Sequence, residues 1–336
     1  MAQEEFLGKL FRSYPWLIAA LVVAVVGVYS AYQFFVPIYL PSPGHELYIA
    51  PRTPLRTIAN TLEHEGVIRS ASYFRLYLGL TQRARQVKPG FYRFEGALPL
   101  ARVAELMAKG GHGVIVTVPE GLTLVEVQDL LTRQSLHVNL GRYHLSDFPE
   151  LDLTKYFPPT ATLEGFLAPD TYEFFPEDPE REIIVRFLKN FSKKLLPEFL
   201  RAPGTNFYAK LTLASMLERE VKHPDDMRLV AGILEQRLRV GKRLEVDAAI
   251  AYLKCRATPC DWGISPRELQ LDSPYNTYRR AGLPPTPITN PGLNAIGAAF
   301  NPQPSPFWFY LTDRDGNTVF AKTFREHQQN IRTHLR

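Results

Sequence analysis

Between Ser13 and His45 the chain contains no Asp, Glu, Lys or Arg, and this stretch limits the possible architectures more than any other feature. Within it, residues 16–36 (WLIAALVVAVVGVYSAYQFFV) would make about 30 Å of helix at 1.5 Å per residue, the depth of a bilayer's hydrocarbon core. Trp16 at one end, and Tyr29, Tyr32 and Tyr39 toward the other, fall where amphipathic rings favour the membrane–water boundary. A cleaved leader has a shorter apolar core, about 7–15 residues, and a small-residue cleavage site; no convincing site follows here. A helix buried in a protein core is the other alternative, and so long an uncharged run near a terminus disfavours it. The expectation is an uncleaved, single-pass transmembrane anchor over residues 13–36. Lys9 and Arg12 precede it, which favours a short cytoplasmic tail over residues 1–12 and translocation of the chain beyond the span.

At 336 residues the chain is long enough for two folded units. Apolar residues make up 45% and charged residues 22%, which argues against wholesale disorder. The 28 prolines, about 8% of the chain against a usual ~5%, point to rigid turns and long irregular connections. The net charge of +5 is dispersed among acidic residues, so no nucleic-acid patch stands out. Cys255 and Cys260 are the only cysteines. In an exported domain they can close a small disulfide loop, with free thiols as the alternative. A metal clip at this pair lacks further ligands.

Pro37, Pro41 and Pro43 suggest a stiff spacer over residues 37–46. Residues 47–135 then alternate helical and strand patterns. Helices are expected over 54–65, over 70–80 with Ser70 as cap, over 98–109 before Gly110 and Gly111, and over 123–133. Strands are expected near 88–94 and over 114–118 (VIVTV). Residues 136–205 are looser and proline-rich, ending in an amphipathic helix over 180–200. Near the end, residues 307–311 and 318–320 read as a hairpin across Asp313 and Gly316. The expected fold class is α+β.

Chemistry concentrates on residues 206–223 (NFYAKLTLASMLEREVKH). Leu213, Met216 and Leu217 form one helical stripe, and Glu220 continues it at i+7, i+4 and i+3. Glu218 lies about 200° round the same helix, near Ala214 and Ser215. An interior carboxyl has its charged form disfavoured, and the raised pKa suits a general acid near neutral pH. Position alone leaves a solvated helix end as the competing reading. Other chemistries are thinned by absence: no phosphate-binding glycine loop, no nucleophile elbow, and eight scattered histidines without a zinc motif. Residues 273–292 are dense in turn formers, compatible with either a functional loop or simple rigidity.

Taken together, LASMLERE (213–220), RLRVGKRL (237–244) with Asp247, SPYNTY (273–278), GLPPTPI (282–288), NPG (290–292) and F-x-x-T-x-x-E-H (320–327) resemble the YceG-like family of endolytic murein transglycosylases, the MltG proteins. EGFLAPDTY (164–172) and KPGFYRF (88–94) are similar to family segments as well. The resemblance implies a LysM-like module over 47–135 and a YceG-like catalytic domain over 136–336, with Glu220 as catalytic acid. It implies a protein of the inner (plasma) membrane whose catalytic domain faces the periplasm and cell wall. There it would cut MurNAc–GlcNAc bonds within nascent peptidoglycan glycan strands, leaving 1,6-anhydro-MurNAc ends. No cofactor, metal or nucleic acid is implied, and peptidoglycan synthases are conceivable partners. On this view Tyr275, Asn276 and Thr277 hydrogen-bond the sugars, and Glu218, Glu245 and Asp247 border the substrate. Where the family commonly has LQTDPT, this chain has LEVDAA (244–249), so Glu245 replaces a Gln. The rival readings are a water-using muramidase, with Glu245 or Asp247 as second carboxylate, and a non-catalytic glycan-binding scaffold.

Overall fold

The computed structural model describes residues 15–176 and 178–335; the tail expected over 1–12 lies outside them. The chain divides into two compact units, Met1–Gly113 and Val114–Arg336.

In the first unit the apolar run forms helix α1 (Pro15–Phe35), and most of its described side chains are exposed, Val23 by 70% and Val28 by 72%. Taken over the described residues alone, which omit the side chains of Pro15 and Ile18, no helix is long and apolar enough to cross a membrane. There follow β1 (Ile38–Ile49), α2 (Leu55–His64), α3 (Ala71–Leu80), β2 (Gly90–Leu98) and α4 (Leu100–Lys109). β1 and β2 pair antiparallel, Ile38 opposite Leu98 and Ile49 opposite Gly90. The expected spacer over 37–46 is therefore mostly strand. Its register shifts between Leu40 and His45, and Pro41, which cannot donate to a ladder, falls in that bulge. Ile58 and Leu62 of α2, Phe74 and Leu78 of α3, and Val103 and Met107 of α4 close on Phe94 to form this unit's core.

The second unit opens with β3 (Val114–Val118), α5 (Leu124–Arg133) and β4 (Asp170–Phe174). β3 pairs antiparallel with β4, Val116 opposite Tyr172. That pairing moves the boundary expected near 135 back to 113, because a strand belongs with the partner that satisfies its backbone. The helix expected over 180–200 is three pieces: α6 (Glu180–Asn190), a wide π turn (Phe191–Leu195) and α7 (Leu196–Leu200). Pro197 explains the break, since it lacks an N–H and its ring crowds the carbonyl four residues back.

The remainder runs α8 (Phe207–Glu220), α9 (Pro224–Arg239), α10 (Asp247–Cys255), α11 (Leu293–Phe300), β5 (Phe309–Thr312), β6 (Thr318–Ala321) and α12 (Phe324–His334). β5 and β6 form the expected hairpin, and Cys255 is disulfide-bonded to Cys260. Phe157 meets Phe166, Phe191 and Phe199 edge-on at 4.9–5.7 Å, and these rings belong to one core that also holds α8, α9 and α11. The mixed helix–sheet composition is the α+β class expected.

Candidate active site

α8 begins at Asn206, whose Oδ1 accepts the Ala209 N–H at 3.1 Å, a standard helix cap. Every residue from Leu211 to Leu217 is buried. The stripe inferred from spacing is thus one side of a helix sunk in the core all round. Glu220, its last residue, is where the helix reaches a cavity of about 800 Å³ lined by Glu218, Glu220, Glu245, Asp247, Tyr278 and Tyr310 among others.

Both oxygens of the Glu220 carboxyl are engaged. Oε1 accepts the Ala248 N–H at 3.3 Å and Oε2 accepts the Tyr310 O–H at 3.2 Å. Ala248 lies in the first turn of α10, where free N–H groups and the helix dipole favour an anion. Thr312 Oγ1 donates to the Glu220 carbonyl at 3.1 Å, tying the helix end to β5. Burial pushes the Glu220 pKa up to about 7, and the nearby Asp247 charge adds to it; Ala248 N–H, Tyr310 and Arg219 oppose the rise. A carboxyl poised there can both give and reclaim a proton near neutrality.

Asp247, the first residue of α10, accepts the Tyr278 O–H at 2.5 Å. Glu245 has left-handed backbone, φ 53, which costs a non-glycine residue strain and marks functional positions more often than others. Its carboxylate lies 3.3 Å from the guanidinium of Arg237, which is only 3% exposed. Arg237 also donates to the carbonyls of Leu244 and Trp308, each at 2.6 Å. Glu218 accepts the Gly292 N–H at 2.8 Å. Burial raises its pKa to about 7 as well, with Glu120 contributing. Gly292 also makes room for Glu120: a Cβ there would fall 1.7 Å from Glu120 Oε1.

The structure brings Glu218, Glu220, Glu245 and Asp247 to one cavity but does not bring Tyr275, Asn276 or Thr277 into its lining. Those three are buried and occupied internally. Tyr275 Oη bonds Thr286 Oγ1 at 2.8 Å. Asn276 Nδ2 donates to the carbonyls of Leu269 and Leu271, and its Oδ1 accepts the Tyr278 N–H. Thr277 Oγ1 accepts the Val246 N–H at 2.9 Å and its carbonyl accepts the Glu245 N–H. Their work is to pin the loop against the entry to α10, so that the next residue, Tyr278, reaches Asp247. Tyr278 stood in the SPYNTY motif without a role. Tyr310, Arg237 and His327 likewise carry no role on the sequence reading, although Arg237 opens the RLRVGKRL segment, His327 closes F-x-x-T-x-x-E-H and Tyr310 lies in the first arm of the hairpin. Among the described residues no cluster of His, Cys, Asp or Glu could hold a metal ion.

A half-sunk glutamic acid with a pKa near 7 and a second carboxylate beside it, both on a cavity of this size, are an arrangement capable of acid–base chemistry. The sequence profile of the YceG-like family matches residues 47–333, and the chain belongs to that family. It is similar to a Bacillus subtilis protein named endolytic murein transglycosylase, 27% identical over 81% of this chain and 79% of that protein. A Streptococcus pneumoniae protein of the same name is 25% identical over 94% of this chain and 64% of its own length. A crystal structure of a yceG-like protein from Listeria monocytogenes superposes with a TM-score of 0.51 at 25% identity, covering 85% of this chain and 99% of that one.

Proposed function

We propose that this protein is a membrane-anchored endolytic lytic transglycosylase, a carbon–oxygen lyase acting on the glycan strands of peptidoglycan. The observation that carries the reading is the Glu220 site, joined to family membership and to the names of its relatives. Protonated Glu220 donates to the oxygen between MurNAc and GlcNAc as oxocarbenium character develops at C1. As a carboxylate it then accepts the proton of the muramyl 6-hydroxyl, whose oxygen closes on C1 to give the 1,6-anhydro end. Ordinary glycosidases pair two carboxylates around a water; a nucleophile already on the sugar replaces the water through its high effective concentration. Asp247, held by Tyr278, faces the developing positive charge and keeps Glu220 protonated until it is used.

Residues 13–36 anchor the protein in the inner membrane, on the argument of their uncharged sequence, with the catalytic unit on the cell-wall side. There it meets nascent strands close to the synthases that make them. The part of the first unit beyond the anchor, from residue 47 on, serves as the LysM-like module, supported by the strand–helix–helix–strand order from β1 to β2 around a core of its own. The test is digestion of purified sacculi by the full-length protein in detergent. Release of soluble muropeptide fragments is expected; tight binding to sacculi with nothing released would make it a scaffold.

A further inference from the structure

Helix α12 gives Phe324, His327 and Ile331 to the lining of the Glu220 cavity, and their spacing places them on one helix face. Phe324 is 58% exposed and Ile331 37%, large apolar groups held open to water inside a catalytic cavity. Phe309 of β5 stacks on the His327 ring at 5.3 Å and packs against Phe324 at 5.8 Å. Lys242 Nζ lies 4.4 Å from the Phe309 ring centre, and the Arg237 guanidinium 5.3 Å from it. The result is an aromatic plate with charged groups at its rim. His327 Nδ1 is buried without a hydrogen-bond partner, an arrangement that calls for an explanation in a native protein. A bare lone pair is cheaper to strand than an N–H, so the proton belongs on Nε2 and the ring's hydrogen-bonding capacity rests there.

We infer that this plate is a saccharide subsite, in which Phe324 takes the apolar face of an N-acetylhexosamine ring while His327 and Glu245 engage its hydroxyl or acetamido edge. The inference rests on the transglycosylase reading and names where the strand is held beside the cleaved bond. A pyranose fits because it presents one C–H face and a polar rim. A purely apolar ligand would strip water from Glu245, Arg237 and His327 without replacing it, which is costly. A nucleic acid would meet Glu218, Glu220, Glu245 and Asp247, all in one cavity. The volume of about 800 Å³ lies high in the ~300–1,000 Å³ range of small-molecule sites, room for more than one sugar.

The test uses full-length protein in detergent and isolated glycan strands freed of stem peptides. Phe324→Ala is expected to raise KM about five- to ten-fold with kcat within about two-fold, the loss of one aromatic contact made equally in ground and transition states. Phe324→Trp should restore KM. In a Glu220→Gln background, which separates binding from turnover, Phe324→Ala should weaken strand affinity by the same factor. Unchanged KM and affinity would overturn the subsite, as would equal losses for Ala and Trp. If the unaltered protein releases no anhydro-ended fragments, the transglycosylase reading fails instead. Strand affinity in the Glu220→Gln background then still decides whether Phe324 binds sugar.

Discussion

Glu218 and Glu220 stand two residues apart on one cavity, and burial raises the pKa of each to about 7; the proposed mechanism assigns the proton transfer to Glu220. Glu218 is tied to the Gly292 backbone beside Glu120, whereas Glu220 is held by donors from two other elements at the cavity. Burial is the larger cause of the raised Glu220 pKa, and the Asp247 charge adds to it by disfavouring the Glu220 anion. Removing that charge must therefore lower the Glu220 pKa and reduce the protonated fraction at pH 7. Asp247→Asn is expected to move the alkaline limb of kcat/KM down by about half to one pH unit. A pH–rate profile of the two proteins checks this, and an upward shift would contradict it. The place of Glu220 at the inner end of its helix was legible in the sequence because helical spacing survives without a fold; a role for it comes only from the family resemblance. The roles around it were not legible, because a loop has no period. Asn276 has the chemistry of a sugar ligand, but here its amide serves two carbonyls, the usual work of Asn in a turn.

Elements with local signals were readable. The Ser70 cap is present, with the Tyr73 N–H at 3.5 Å, and the hairpin after Phe309 forms as spaced. Thr323-x-x-Glu326 is a capping box that starts α12, so part of one family-like motif has a structural cause, the start of the helix that carries His327. Elements set by distant partners were not readable. β1 hides behind its prolines, and the π turn at Phe191–Leu195 depends on how Pro197 is accommodated. Close packing of α9 yields a sharper expectation. A Cβ on Gly232 would fall 1.9 Å from the Gln303 backbone oxygen, while one on Gly297 of α11 meets nothing within 4 Å. Both substitutions to Ala gain about 1 kcal/mol of helix propensity. Gly232→Ala must also push apart a segment bonded through Gln303 N–H to the Arg228 carbonyl, an overpacking cost of roughly 1–3 kcal/mol. Denaturant unfolding should show Gly297→Ala neutral or stabilised and Gly232→Ala destabilised; equal behaviour would contradict this packing.

At the scale of the molecule, the division into two units at Gly113 follows from β3 pairing with residues 170–174. A pairing across that much chain leaves no trace in local periodicity, which is why the boundary was expected some twenty residues later. Every residue lining the Glu220 cavity lies in the second unit, beyond residue 113. On the proposed reading, anchoring and chemistry are then separable. The uncharged run should keep the protein in the membrane fraction through alkaline carbonate extraction, and release into the supernatant would contradict an integral span. In the proposed mechanism Glu220 drives an intramolecular ring closure. It is tested most directly by mass spectrometry of the fragments released from glycan strands by the full-length protein and by Glu220→Gln. Products ending in 1,6-anhydro-MurNAc, lighter by one water than hydrolysed ends, are expected, together with a folded Glu220→Gln protein whose turnover falls by at least about 10²–10⁴. Fragments carrying the added water would assign a muramidase instead, and near-normal turnover by folded Glu220→Gln would remove Glu220 from the chemistry.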